Sequence, residues 1–217
     1  MIKAVLFDLD GVLIDTEILS FQAYQRLLER WQQTMSLEQY LEFYSGKTER
    51  ANIETLLRQY PIEMSADELF ELSLAQEAEN LDQGVELKKG VHEAFAWLKE
   101  NNIQTALVTS SIYGRAMELL KDHGLDTAFD CAVTSEDVTH SKPDPQIYRK
   151  ALEKMNLRPE EAVVIEDSEN GILSGVGAGI RVVCIPDMKA PSPTILAKAA
   201  GVLNSLEELP DWIAQHS

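Results

Sequence analysis

The stretch "AVLFDLDGVLIDTE", residues 4–17, sets the reading of the chain, because an apolar run suited to a buried strand ends on two carboxylates, Asp8 and Asp10, and then Gly11. Two unpaired negative charges buried side by side cost several kcal/mol, at least about 3, so a cation is expected to meet them. Four more short apolar runs follow at helix-length intervals: "QTALVTS" (104–110), "CAVTS" (131–135), "AVVIED" (162–167) and "RVVCIP" (181–186). Strand-like runs alternating with helical segments predict an α/β fold built on a parallel sheet covered by helices. In "GRAMELLKDHGL", Met117, Leu119 and Leu120 share one face and Gly124 marks the stop. "DPQIYRKALEKMNL" repeats the scheme with Ile147, Ala151, Leu152 and Met155.

Residues 18–81 break this rhythm, with no β-like run. Ile18, Phe21, Tyr24, Leu28 and Trp31 are spaced for one helix, Leu37, Tyr40, Leu41 and Tyr44 for a second, Ile53, Leu56, Leu57 and Tyr60 for a third, and Leu69 to Leu81 for a fourth. The expected organisation is therefore a sheet domain of residues 1–15 and 86–217 with a helical domain of residues 16–85 inserted into it. Residues 14–17 and 84–90 are the expected linkers, and two adjacent linkers make a hinge geometrically cheap. Asp15 and Thr16 are expected to cap the first inserted helix.

At 217 residues and 45% hydrophobic content, the chain can bury a sizeable core. Its 36 acidic residues outnumber 19 basic ones, for a net charge of −17, which argues against nucleic acid and against an anionic membrane surface. Residues 15–85 hold 14 of the acidic and 5 of the basic residues, a distribution expected of a solvated helix surface. Cys131 and Cys184 lack metal-ligand spacing and are expected to be inert buried thiols. His92, His123, His140 and His216 show no spacing for a metal site. No apolar run approaches the roughly 20 residues of a membrane span and the chain opens on a strand-like pattern, so a cytoplasmic protein is expected. A monomer is favoured, the oligomeric state being otherwise open.

Ligands of open α/β sheets bind at the carboxyl ends of strands. Polar residues of suitable kinds stand at several of these ends: Asp8 and Asp10, which i, i+2 spacing in extended chain would face one way; Thr109, Ser110 and Ser111 before a helix; and Glu166 with Asp167. Lys142, held out of helix by Pro143, is expected on a loop just ahead of one. A carboxylate cluster suits a hard divalent ion, a hydroxyl at a helix start suits phosphate oxygens, and an ammonium neutralises charge. Phosphate monoester hydrolysis needs such charge neutralisation, in-line alignment and leaving-group protonation, and an aspartate can act as nucleophile.

The segments "DLDGV", "VTSS", "SKPDP" and "VIEDSENG", in that order and with the helical insert after the first, resemble the four motifs of haloacid dehalogenase superfamily phosphatases. The likeness is to the group with a helical cap, close to the β-phosphoglucomutase-like proteins. The resemblance spans the whole chain and implies a Rossmann-like parallel sheet core with an inserted α-helical cap domain. It further implies a Mg²⁺-dependent phosphatase acting on a small phosphorylated metabolite, with a sugar phosphate as the candidate, through an aspartyl-phosphate. By that resemblance Asp8 is nucleophile and metal ligand, and Asp10 is general acid and base with its backbone carbonyl on the metal. Asp167 completes the protein ligands, and Glu166 ligates or supports. Thr109 and the Ser110 N–H hold the phosphoryl group, and Lys142 neutralises it and Asp8.

Asp10 argues against dehalogenation, since dehalogenases proper lack that second aspartate. A phosphosugar mutase of the β-phosphoglucomutase type is the alternative. Against it, Ser20 stands where the mutase has histidine, Ile112 where it has lysine, and Glu49 where its cap has arginine. Lys47 and Arg50, beside Glu49, are the candidate substrate contacts in the cap. A phospho-accepting receiver-like module and a non-catalytic binding module are the alternatives of another class.

Overall fold

The computed structural model describes residues 1–45, 47, 49–81 and 84–217. It divides into two compact units, one of residues 1–15 and 86–217 and the other of residues 16–85.

In the first unit, six strands form one parallel sheet: β1 (Ala4–Phe7), β2 (Gln104–Val108), β3 (Cys131–Val133), β4 (Ala162–Glu166), β5 (Arg181–Cys184) and β6 (Gly201–Val202), in the order β3-β2-β1-β4-β5-β6. Strand β1 is central, and all four of its residues are buried, which explains why it reads as an unbroken apolar run rather than an alternating one. Each strand is shorter than its apolar stretch in the sequence, and β6, only two residues long, carries no periodic signal of its own. Leu6, Val108, Val133, Val164 and Val182 share a core on one sheet face with Ile147, Tyr148, Ala151, Leu152 and Ile172 from the covering helices.

The second unit holds α1 (Thr16–Glu29), α2 (Leu37–Phe43), α3 (Glu49–Gln59) and α4 (Ala66–Leu81). Its core is separate, drawn from Phe21, Tyr24, Leu27, Leu28, Tyr40, Tyr44, Ile53, Leu56 and Leu69. Ser36 caps α2 through a reciprocal pair, its hydroxyl accepting from Gln39 N at 3.2 Å while Gln39 Oε1 accepts from Ser36 N at 2.9 Å. Trp31, Tyr44 and Tyr60 lie just past the ends of their helices, although their spacing continues the apolar faces.

The remaining helices, α5 (Val91–Glu100), α6 (Tyr113–Lys121), α7 (Gln146–Met155), α8 (Glu169–Gly177), α9 (Pro193–Leu196) and α10 (Leu209–His216), belong to the sheet unit. Helix α6 ends at Lys121, three residues before Gly124, which follows with φ +67°. Of its expected face, Leu119 and Leu120 are buried, while Met117 is half-buried and Ala116 takes its place in the core. Cys184 is buried, but Cys131 is only half-buried because β3 lies at the sheet edge, which corrects the expectation that both would be interior. Both thiols are free, and burial raises both, Cys184 to about 12. Among the described residues no helix is long and apolar enough to cross a membrane.

Candidate active site

The order of strands reverses around β1: the chain moves outward through β2 and β3, then crosses back to β4 on the other flank. A crevice at the carboxyl ends of the strands follows from that reversal. Phe7 pairs with Leu107 on β2 and with Ile165 on β4, so Asp8 emerges level with Val108 and Glu166. Thr109 and Asp167 stand one residue further along their own chains.

The sheet ladder runs on to Asp8, whose N–H donates to Ile165 O at 3.0 Å, and the chain bends at Leu9. Residues 9–14 fold into a tight loop in which Leu9 O accepts from the N–H groups of Leu13 at 2.9 Å and Ile14 at 3.2 Å. Asp8 thus stands on the sheet ladder and Asp10 in the loop, so the extended run behind their i, i+2 spacing is interrupted at Leu9. Gly11 makes the turn possible, with φ +81°, and a side chain there would put Cβ 2.5 Å from Asp167 Oδ2.

The two aspartates face different cations. Lys142, on a turn ahead of α7, lies with Nζ 2.6 Å from Asp8 Oδ1 and 2.6 Å from Glu166 Oε1, and it also donates to Val108 O at 3.1 Å. This ammonium, whose side chain is only 7% exposed, is the cation the opening stretch calls for. Asp10 instead accepts from Arg115, whose Nη1 and Nη2 lie 3.2–3.3 Å from its oxygens, and from Ser111 Oγ at 3.1 Å.

Glu166 is fully buried. Its carboxylate accepts from Lys142, from Tyr148 OH at 2.8 Å and from Ser168 Oγ at 3.0 Å. Ser168 also caps α8, accepting from Gly171 N at 3.1 Å, so the turn after β4 locks the acid in place. A Cβ at position 171 would fall 1.8–1.9 Å from the Glu166 carboxyl atoms. With Ser168 N also donating at 3.4 Å, four donors engage this one carboxylate.

Thr109, 1% exposed, donates its N–H to Val133 O at 3.0 Å, and its hydroxyl oxygen accepts from Ser111 N at 3.0 Å. The turn holding Ser110 therefore closes on the end of β2.

Burial raises Asp8 to about 7 against the opposing pull of Lys142, with Glu166 and Asp10 pushing the same way as burial. Asp167 is raised well above the carboxylate range by burial and by Glu166, Asp8 and Asp187 around it. Burial alone would lower Lys142, but the charges of Asp8 and Glu166 outweigh it and hold the ammonium charged. Two acids thus share one lysine and a third stands beside them, Asp8, Glu166 and Asp167 each bringing an oxygen within 4.8 Å of the others. This excess of hard carboxylate oxygens fits a small divalent cation. Asp10 does not belong to that cluster through its carboxylate.

Four contributors escaped the sequence reading. Arg115 stands four residues after Ser111, one helical turn on, and this spacing was the available signal. Tyr148 lies under Lys142, its ring centroid 5.1 Å from Nζ, and nothing in "QIYRK" separates it from an ordinary core residue. Asp187 and Lys88, paired at 2.6 Å, come from loops distant in sequence, and Asp15 Oδ2 lies 3.6 Å from the same lysine. Asp15 Oδ1 is buried without a hydrogen-bond partner.

In the helical unit, Lys47 Nζ donates to Phe43 O at 2.5 Å, and Arg50 pairs with Asp67 at 2.6 Å over the Phe70 ring. Both are solvent-facing. Glu49 points inward and accepts from the Tyr24 and Ser73 hydroxyls.

The model of the haloacid dehalogenase-like hydrolases matches residues 5–185. A phosphorylated carbohydrates phosphatase of Thermotoga maritima is 33% identical over 95% of this chain and 99% of its own length. Hexitol phosphatase A of Escherichia coli is 34% identical over 95% of this chain and 93% of its own. The crystal structure of a HAD family hydrolase from Deinococcus radiodurans, with bound phosphate and sodium, superposes with a TM-score of 0.86 at 26% identity, over 99% of this chain and 96% of that one. On a family match across most of the chain and relatives aligned over nearly all of it, this chain is an enzyme of the haloacid dehalogenase-like hydrolases and belongs among their phosphatases.

Proposed function

We propose that the chain is a Mg²⁺-dependent phosphohydrolase that removes phosphate from a small phosphorylated metabolite, a sugar or polyol phosphate, through an aspartyl-phosphate on Asp8. The observation that carries this reading is the buried Asp8 carboxylate, held at 2.6 Å by Lys142 and clustered with the Asp167 carboxylate at the strand ends, one residue short of the level of Thr109. The sugar or polyol class rests on the relatives from Thermotoga and Escherichia, whose names specify phosphorylated carbohydrates and hexitols.

Asp8 and Asp167, with the Asp10 backbone carbonyl, would hold Mg²⁺, and Glu166 supports them through Lys142. The ion supplies positive charge against the phosphoryl oxygens. In the first step a carboxylate oxygen of Asp8 forms a bond to phosphorus as the bond to the leaving oxygen breaks. The Asp10 carboxyl gives its proton to that oxygen. In the second step water attacks the aspartyl-phosphate, Asp10 takes the water's proton, and the Asp8 carboxylate leaves. Lys142 neutralises charge on Asp8 and the phosphoryl group, while the Thr109 hydroxyl and the Ser110 N–H hold the phosphoryl oxygens. Lys47 and Arg50 are the substrate contacts of the helical unit, which serves as a cap selecting the leaving group.

A mutase needs a second phosphate-gripping cation, and the inward turn of Glu49 weighs against that reading. A phosphate-release screen over sugar, polyol and nucleoside phosphates, with Mg²⁺ or with EDTA, tests the proposal. Turnover is expected only with the metal and is lost in Asp8→Asn. Multiple turnovers surviving in Asp8→Asn would overturn the nucleophile assignment. Lys47→Ala and Arg50→Ala are expected to raise KM, and unchanged KM and substrate preference would remove them from the substrate contacts.

A further inference from the structure

We infer that Arg115 is the positioning residue of the acid–base group: with Ser111 it fixes the orientation of the Asp10 carboxyl from which the proton passes to the departing oxygen. The inference rests on the function proposed above and extends it to a residue outside the four motifs.

Asp10 sits on the tight loop after β1, where a short side chain can turn about two bonds, so proton transfer along one line needs an outside constraint. Arg115 supplies it from the first turn of α6. Its Nη1 lies 3.2 Å from Oδ1 and 3.3 Å from Oδ2, and its Nη2 lies 3.2 Å from Oδ1, so the guanidinium fork lies across the carboxylate. The fork is anchored in turn, since Nη1 also donates to Ser111 Oγ at 2.6 Å and Ser111 Oγ donates onward to Asp10 Oδ2 at 3.1 Å. The three residues form a closed ring of hydrogen bonds, built on the same turn that positions Ser110. A planar donor pair sets direction as well as distance, which a lysine ammonium cannot do.

A purely structural pair predicts something different. The Asp10 and Arg115 side chains are 36% and 29% exposed, and ion pairs this open contribute little to stability. Loss of Arg115 is therefore expected to move the melting temperature by less than about 3 °C. Its consequence should instead follow the leaving group. When the P–O bond to an alkyl oxygen breaks, the poor alkoxide needs the Asp10 proton as the bond to Asp8 forms. A nitrophenolate leaves without one.

The test compares kcat/KM, which covers steps up to transfer of the phosphoryl group to Asp8, for p-nitrophenyl phosphate and for the fastest alkyl phosphate of the screen. In Arg115→Ala the ratio of aryl to alkyl kcat/KM is expected to rise about tenfold or more over the parent enzyme. Arg115→Lys should fall between the two, and guanidinium added to Arg115→Ala should bring the ratio back toward the parent value. Ser111→Ala, which removes the anchor of the fork, should raise the ratio by a smaller factor. A ratio within twofold of the parent in Arg115→Ala, including an equal loss on both substrates, would overturn the inference and leave Arg115 a surface or binding residue. Turnover surviving in Asp8→Asn would instead refute the aspartyl-phosphate reading, so the two failures are distinguishable.

Discussion

At the scale of single residues, the site separates two like charges by giving each its own cation. Asp8 meets Lys142 at the carboxyl end of the central strand and Asp10 meets Arg115 nearer solvent. Metal ligands must be deprotonated, and burial raises Asp8 to about 7, so protons compete with the cation below that pH. Mg²⁺ affinity measured by calorimetry is expected to fall at least about tenfold per pH unit below about 7. The linkage has a definite sign. A carboxyl raised from 3.8 contributes stability that is present below 3.8 and lost as pH rises through about 7. Metal-free protein should therefore lose this contribution between those values, and added Mg²⁺ should restore stability at the upper end. Lys142→Met leaves Asp8 and Glu166 buried without their shared cation. It is expected to cost about 3–5 kcal/mol in denaturant unfolding of the metal-free protein and at least about 100-fold in kcat. The residue types at this site were legible because motif order and strand ends are local features. Arg115 and Tyr148 were not, because what matters in them is a partner 105 or 18 positions away.

At the scale of elements, the junction of β4 and α8 carries the support for Lys142, and it works because position 171 has no side chain. Gly171→Ala would drive a Cβ into the Glu166 carboxylate, and a loss of about 1–3 kcal/mol is expected in chemical denaturation. Gly114, on α6, makes the control. A Cβ there meets nothing within 4 Å, so Gly114→Ala should be neutral or stabilise by up to about 1 kcal/mol. Tyr148→Phe keeps the ring beneath Lys142 but removes a donor from a fully buried carboxylate, with an expected cost of about 1–3 kcal/mol. Helix positions were readable from apolar spacing, whereas helix ends drifted by a few residues, because Trp31 and Tyr60 pack into the helical core without being helical.

At the scale of the whole molecule, the apolar residues sort into two cores, one on the sheet and one within the helical unit. Leu56 is completely buried in the latter, and Leu56→Ala is expected to cost about 2–5 kcal/mol there. The site residues on the sheet should still bind Mg²⁺ with a dissociation constant within about twofold of the parent, as calorimetry at one pH would measure. Periodicity and strand-end chemistry, both of which act over a few neighbouring residues, determined the parallel α/β fold, the helical character of the insert and the kind of chemistry at the strand tips. What the sequence could not express was the partner of each charge. That Asp8 would face Lys142 and Asp10 Arg115, that Glu166 would accept from Lys142, Tyr148 and Ser168, and that a glycine would leave room for it are consequences of register and crossover. Those bring side chains together across long stretches of chain, and electrostatic pairing at 3 Å is decided only there.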